Sequence, residues 1–210
     1  MKSRSWIIAG IIVVFIVAAA SAYLYQGLDK VDVTIDTNGT EITVKTTASI
    51  FNNAPPEMTT EIEQYVTNAV KDYHSTVESI QKDVQEIVKS YGYKEATVTI
   101  NSQFGLNQLP MPAVVNGDSM VPTLKNGQQI VVLKTDNYKV GDIVVAVHPE
   151  YDLIVKRLSK IEGDRVYLTS DNKNVETTTI YHSTYYEVIT KTPLNTWLPK
   201  DSVIGVVKVY

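Results

Sequence analysis

Residues 6–25 contain no charged side chain, and no other part of the sequence limits the fold so strongly. As a helix rising about 1.5 Å per residue, this run matches the roughly 30 Å hydrocarbon thickness of a bilayer. Trp6, Tyr23 and Tyr25 fall near its ends, where amphipathic rings favour the membrane–water boundary. Lys2 and Arg4 precede it, whereas Asp29, Asp32 and Asp36 come after it. The positive-inside rule then predicts a single-pass anchor in the cytoplasmic membrane, with the N-terminus inside and the chain after residue 27 outside. A cleaved leader is the competing expectation, since Ala18-Ala19-Ala20 and Ala20-Ser21-Ala22 both fit a small-x-small cleavage site. Against it, the run exceeds the about 7–15 residues of a leader core and continues through those sites.

The remainder has room for one ordinary domain and a smaller one, given 210 residues of which 44% are hydrophobic. A net charge of -4 offers no electrostatic footprint for nucleic acid. There is no cysteine, which removes thiol nucleophiles, disulfides and thiolate-bound metal from consideration. His74, His148 and His182 are scattered and form no metal-binding pair. Neither a metal nor another cofactor is expected.

Three regions are expected: 1–27 as cytoplasmic N-terminus and anchor, 28–108 as a small α+β unit, and 109–210 as a mainly β domain. Within the second, Val31, Val33 and Ile35 alternate with polar residues, Asn38-Gly39 signals a type I′ hairpin, and Ile42 and Val44 resume the alternation. After Pro55-Pro56, apolar residues from Ile62 to Val88 recur close to the helical period, predicting one long amphipathic helix to about Ser90. Gly92 closes it and 96–100 reads as a strand, giving a ββαβ unit. Past Leu109-Pro110-Met111-Pro112, short β-rich runs at 129–134, 142–147, 153–161, 166–169, 187–191 and 203–210 are separated by turn residues. That spacing predicts a compact mainly β domain.

Two residues in this domain suggest chemistry. Ser119 sits in Gly117-Asp118-Ser119-Met120-Val121-Pro122, where Gly117 permits an unusual backbone turn and Pro122 stiffens the far side of it. Such a turn can present a hydroxyl with its own N–H as an oxyanion donor. A serine hydroxyl needs a base to take its proton, and Lys156 stands on an apolar run with Ile154 and Val155. Lysine is protonated at neutral pH unless desolvation lowers its pKa. Arg157 cannot act as a base, and on a strand it faces away from Lys156. Asp171 is its expected partner. Ser79-Ile80-Gln81-Lys82 also fits a Ser-x-x-Lys string, but it lies within the predicted helix; Ser170-Asp171-Asn172 offers the second element of that pattern by chance, and its Lys-Thr-Gly element is missing.

In order along the chain, Ser119-Met120-x-Pro122-Thr123-Leu124, Gly127, Gly141-Asp142-Ile143-Val144, Val155-Lys156-Arg157-Leu158 and Ser170-Asp171-Asn172 resemble the type I signal peptidase superfamily. That group includes the self-cleaving SOS-repressor proteases. The likeness covers roughly 113–172, and 198–205 resembles the closing strand. It implies a mainly β catalytic domain with Ser119 as nucleophile and Lys156 as general base. Gly117, Asp118, Met120 and Pro122 would support the oxyanion turn, and Arg157, Ser170, Asp171 and Asn172 would lie behind the reacting pair. Signal peptidases usually carry Gly-Asp-Asn-Arg and then a serine that orients the lysine. Here Ser170-Asp171-Asn172-Lys173 replaces the tetrapeptide and Glu176 stands at the serine's position, leaving Ser170 or one of Thr177, Thr178 and Thr179 to orient Lys156. Gly117 occupies a position where some members have an oxyanion-donating serine, so a backbone N–H must serve.

The leading expectation is an anchored endopeptidase that cuts secretory or membrane-tethered preproteins after small residues. A self-processing regulatory protease is the second expectation; that branch typically cuts an Ala-Gly bond, and here Ala9-Gly10 lies within the apolar run. A non-enzymatic extracytoplasmic binding module is the third; a solvent-exposed Lys156 with an ordinary pKa, or one too far from Ser119 to relay a proton, would support it.

Overall fold

The computed structural model describes residues 30–48, 54–191 and 193–209. The apolar run at 6–25 lies outside them. Among the described residues, no helix is long and apolar enough to cross a membrane.

The described chain divides into two compact units. The first contains β1 (Lys30–Thr37), β2 (Ile42–Ala48), α1 (Pro56–Ala69), α2 (Val77–Ser90), β3 (Glu95–Ser102) and the short β4 (Gly105–Leu106). Its sheet runs β2-β1-β3-β4, with β1 antiparallel to β2 and parallel to β3. The alternation in β1 buries Val31, Val33 and Ile35, which join Ile100 of β3 and the apolar stripes of the two helices.

The expected single long helix is in fact two. After Ala69, the Asp72 carboxylate accepts the His74 N–H at 2.9 Å, and Ser75 N–H donates to Asp72 O at 3.1 Å. A short acidic side chain that satisfies nearby backbone offers the chain an alternative to the helix. The carbonyls freed there, Asp72 O and Ser75 O, accept from Lys134 Nζ. Periodicity alone gave no sign of the break because Tyr73 and Val77 keep to the apolar spacing. The expected type I′ turn is also different. Thr37 pairs with Ile42, leaving four residues in the loop, and only Gly39 among them takes positive φ, +97°. The Asn38 side chain instead accepts Thr40 N–H at 2.9 Å.

The second unit is mainly β and takes in Asn38–Thr40, Val70–Thr76 and Gln108–Tyr210. Its strands are β5 (Leu109–Val114), β6 (Gln129–Lys134), β7 (Ile143–His148), β8 (Asp152–Glu162), β9 (Arg165–Thr169), β12 (Thr196–Pro199) and β13 (Val203–Val209). They form one sheet in the order β12-β9-β8-β7-β13-β6-β5. Between β9 and β12, β10 (Glu176–Tyr181) and β11 (Tyr186–Lys191) make a separate two-stranded sheet. β5 escapes sequence detection because Pro110 and Pro112 interrupt it; it is an edge strand, where missing N–H groups are tolerated.

Both faces of the large sheet are buried at its centre. Met111, Ile130, Val132, Ile143, Val145 and Val207 pack with Met120 and Leu124 in one cluster. Val144, Ala146, Ile154, Leu158, Val166, Leu168, Leu198 and Val206 pack in another. Neighbours Val144 and Val145 enter different clusters, as the two-residue period of β7 dictates.

Candidate active site

Ser119 lies in the loop between β5 and β6, whose shape follows from its sequence. Gly117 takes φ +94°, a left-handed conformation costly for residues with a Cβ, and its N–H donates to Asn126 Oδ1 at 2.9 Å. Val121 N–H then donates to Asp118 O, and Leu124 N–H to Met120 O. None of these bonds uses the Ser119 N–H. Met120 and Leu124 are wholly buried and fix the turn to the first of the two clusters. The Val121–Pro122 peptide is cis.

Lys156 approaches from β8. It pairs with Val144 and, by alternation, shares a face with Ile154 and Leu158. Only 4% of it is exposed. Its Nζ lies 2.6 Å from Ser119 Oγ, though 37 residues separate them in the chain. Burial pushes the amine's pKa below the ordinary lysine value, because the charged form loses hydration in this apolar setting. In its neutral form the amine can accept the hydroxyl proton.

Arg157 leaves β8 on the opposite face. Its Nε donates to Asp171 Oδ1 at 2.7 Å and its Nη2 to Asp171 Oδ2 at 2.6 Å. Nη1 donates to Gly141 O at 2.7 Å. Thr123 Oγ1 donates to the same carboxylate at 2.6 Å. The Arg157 guanidinium, with help from Thr123, holds the Asp171 carboxyl below its usual range. Next in the chain, Asn172 N–H donates to Ser119 O and Asn172 Nδ2 to Asp118 O, both at 3.0 Å. Asp171 and Asn172 thus hold the Ser119 loop from two sides.

Ser170 plays a different part from the one expected. It is wholly buried; its Oγ donates to Leu194 O at 2.9 Å, and its N–H to Asn195 Oδ1 at 3.0 Å. The hydroxyl therefore fastens the start of β12 to the end of β9 rather than orienting Lys156. Thr179 is exposed on β10, and the side chains of Thr177 and Thr178 lie outside the described residues. Lys156 is held by the packing of its own stem and by Ser119. Sequence reasoning read Asn126 only as part of a turn and missed Asn195. Neither carries a spacing signal, since Asn195 reaches Ser170 only across the intervening β10–β11 hairpin.

The histidines have local roles. His148 is buried, accepts Glu150 N–H through Nδ1 and meets the Tyr151 ring at a tilt of 36°. Among the described residues, no group of three or more potential ligands could hold a metal ion.

A Peptidase S24-like family profile matches residues 77–192, more than half of the chain. The chain is 33% identical over 103 residues to the LexA repressor of Pelagibacter ubique (strain HTCC1062), covering 48% of this chain and 40% of that protein. It is 41% identical over 66 residues to signal peptidase I P of Bacillus subtilis subsp. natto, covering 29% and 36% respectively. In each case the likeness spans well under half of the relative. With its mainly β second unit and the ordered motifs around Ser119 and Lys156, this chain belongs to the peptidase S24-like family.

Proposed function

We propose that the chain is a membrane-anchored serine endopeptidase in which Ser119 is the nucleophile and Lys156 the general base. The observation that carries the reading is the 2.6 Å contact between Ser119 Oγ and a buried Lys156 Nζ. The same contact counts against a purely binding module. Neutral Lys156 takes the hydroxyl proton as Oγ attacks the scissile carbonyl carbon. The carbonyl electron pair moves onto oxygen, and the Ser119 N–H serves as its hydrogen-bond donor in this reading. Collapse expels the amine, which takes the proton from the Lys156 ammonium, and leaves an ester on Ser119. Lys156 then draws a proton from water as its oxygen attacks the ester carbon; collapse breaks the bond to Oγ, which takes that proton from the Lys156 ammonium, and the acyl part leaves as a carboxylic acid.

An extended substrate can lie along the edge of β5, the strand that leads into the Ser119 loop, with backbone carbonyls rather than the absent Pro110 and Pro112 N–H groups as its partners there. Small side chains before the scissile bond suit this reading, as does anchoring by residues 6–25. An anchor outside the cytoplasm would confine enzyme and membrane-tethered preproteins to one surface and raise their effective concentration. In purified full-length protein, Ser119→Ala and Lys156→Ala are each expected to slow cleavage of a peptide with an apolar run and an Ala-x-Ala site by about a thousandfold or more. Cleavage at the native rate by either variant refutes the assignment.

The longer likeness to a LexA repressor favours one further reading, self-cleavage. A fragment that appears in the purified chain on standing, and is absent from Ser119→Ala, would support it; an unchanged mass would exclude it.

A further inference from the structure

The Ser119–Lys156 chemistry leaves the β10–β11 hairpin unexplained. Its six pairs run from Glu176↔Lys191 to Tyr181↔Tyr186 without a bulge, and neither strand pairs with another among the described residues. A lone two-stranded sheet is marginal in water. Ten large apolar side chains are exposed among the described residues, and five of them, Val175, Ile180, Tyr181, Tyr185 and Val188, fall on or beside this hairpin. Cross-strand pairing sets Tyr181 on the face shared by Thr179 and Val188. At the tip, His182 and Tyr185 stack with centroids 4.3 Å apart, and His182 N–H donates to Tyr185 O.

The hairpin is fastened at its base to the Ser119 loop. On the β10 side, Asn172 holds Ser119 O and Asp118 O. On the β11 side, Leu194 O and Asn195 Oδ1 hold Ser170. The segments that flank it are therefore tied to each other through Ser170, and one of them, through Asn172, to the nucleophile's own backbone.

We propose that β10–β11 is a substrate-recognition arm that binds an apolar stretch of the polypeptide cut at Ser119, away from the scissile bond. The inference rests on the peptidase reading. Three observations select a polypeptide as the occupant. Neither outer edge of the hairpin has a strand partner among the described residues, and the backbone N–H and C=O groups of such edges can be satisfied by another chain but not by lipid. No proline or bulge protects those edges, as exposed edges usually require. The sequence from Val175 to Lys191 has a single lysine and no arginine, too little positive charge to seek an anionic membrane surface.

The test uses full-length protein, the double variant Tyr181→Ser/Tyr185→Ser, and two peptides sharing one Ala-x-Ala site. One peptide is short; the other carries an apolar run as well. Because both tyrosines are exposed, the variant is expected to fold, which its circular dichroism and unchanged cleavage of the short peptide would establish. On the long peptide its kcat/KM is expected to fall about tenfold, through KM with kcat unchanged. Equal loss on both peptides, or no loss on either, overturns the proposal. So does a change confined to vesicle binding or to self-association, since either would assign the surface to lipid or to a second copy. Binding of the long peptide to Ser119→Ala, with and without the tyrosine changes, separates the two readings. If binding depends on the tyrosines but wild-type protein never cleaves, the peptidase assignment fails and the recognition surface stands. If binding does not depend on them, the arm fails whatever the chemistry.

Discussion

A lysine carried on the same face of β8 as Ile154 and Leu158 is buried, and the hydration its amine has lost makes it useful as a base. The folded-state pKa of Lys156 is depressed, so the unfolded chain binds its proton more readily. Stability from this group is therefore complete only above the unfolded lysine value of about 10.4 and declines as pH falls through the interval to the folded value. Cleavage at subsaturating substrate should accordingly rise with pH through the depressed value and level off before an ordinary lysine would titrate, as a pH–rate profile will show. Lys156→Met should be inactive yet more resistant to thermal unfolding at neutral pH, with the advantage shrinking toward about pH 10. Equal melting temperatures for the two proteins across that range would mean that Lys156 is not desolvated. The types and order of these residues were legible in the sequence, and so was the opposite facing of Arg157. The role of Ser170 was not, because its partners Leu194 and Asn195 come from a strand start that carries no pattern of its own.

At the scale of elements, close approach matters most between β13 and β6. A Cβ on Gly205 would lie 2.1 Å from Leu133 O, and backbone in the middle of a sheet cannot move aside. Gly205→Ala should lower stability by at least about 2 kcal/mol, measurable as a reduced denaturant midpoint. Gly117→Ala meets nothing within 4 Å and suffers only from its positive φ. It should cost about 1 kcal/mol and act more on cleavage than on folding. Strand periods made most of the large sheet readable in advance, whereas β5, β10 and β12 were hidden. Proline interrupts the first, the second is rich in threonine rather than in alternating apolar residues, and β12 is only four residues long. The split between α1 and α2 was hidden for another reason: an apolar stripe continues across a turn made by Asp72.

For the molecule as a whole, two lysines titrate away from their usual range in the same direction. Burial lowers Lys134 to about 8, where its ammonium holds the Asp72 and Ser75 carbonyls, and Lys156 is also lowered. Tyr91 and Tyr138 are raised, Tyr91 chiefly by its bond to Glu61 and Tyr138 by burial. Deprotonation of the unfolded tyrosines near about pH 10 therefore works against the fold. The melting temperature should rise from about pH 8 toward about pH 10 and then fall, and Lys134→Met together with Lys156→Met should flatten the rising limb. A melting temperature that fell steadily from about pH 8 would contradict both lysine assignments.

Asp171 gives the arrangement a further property. One carboxylate accepts from Arg157 on β8 and from Thr123 beside the serine loop, so it gauges the gap between alcohol and amine from behind. Its protonation, reached only in acid stronger than an ordinary carboxylate needs, would slacken both tethers together while the hydrophobic layers stay shut. A sample held briefly in such acid should keep its strand spectrum throughout, and on neutralisation it should regain its chemistry at once rather than after a slow refolding.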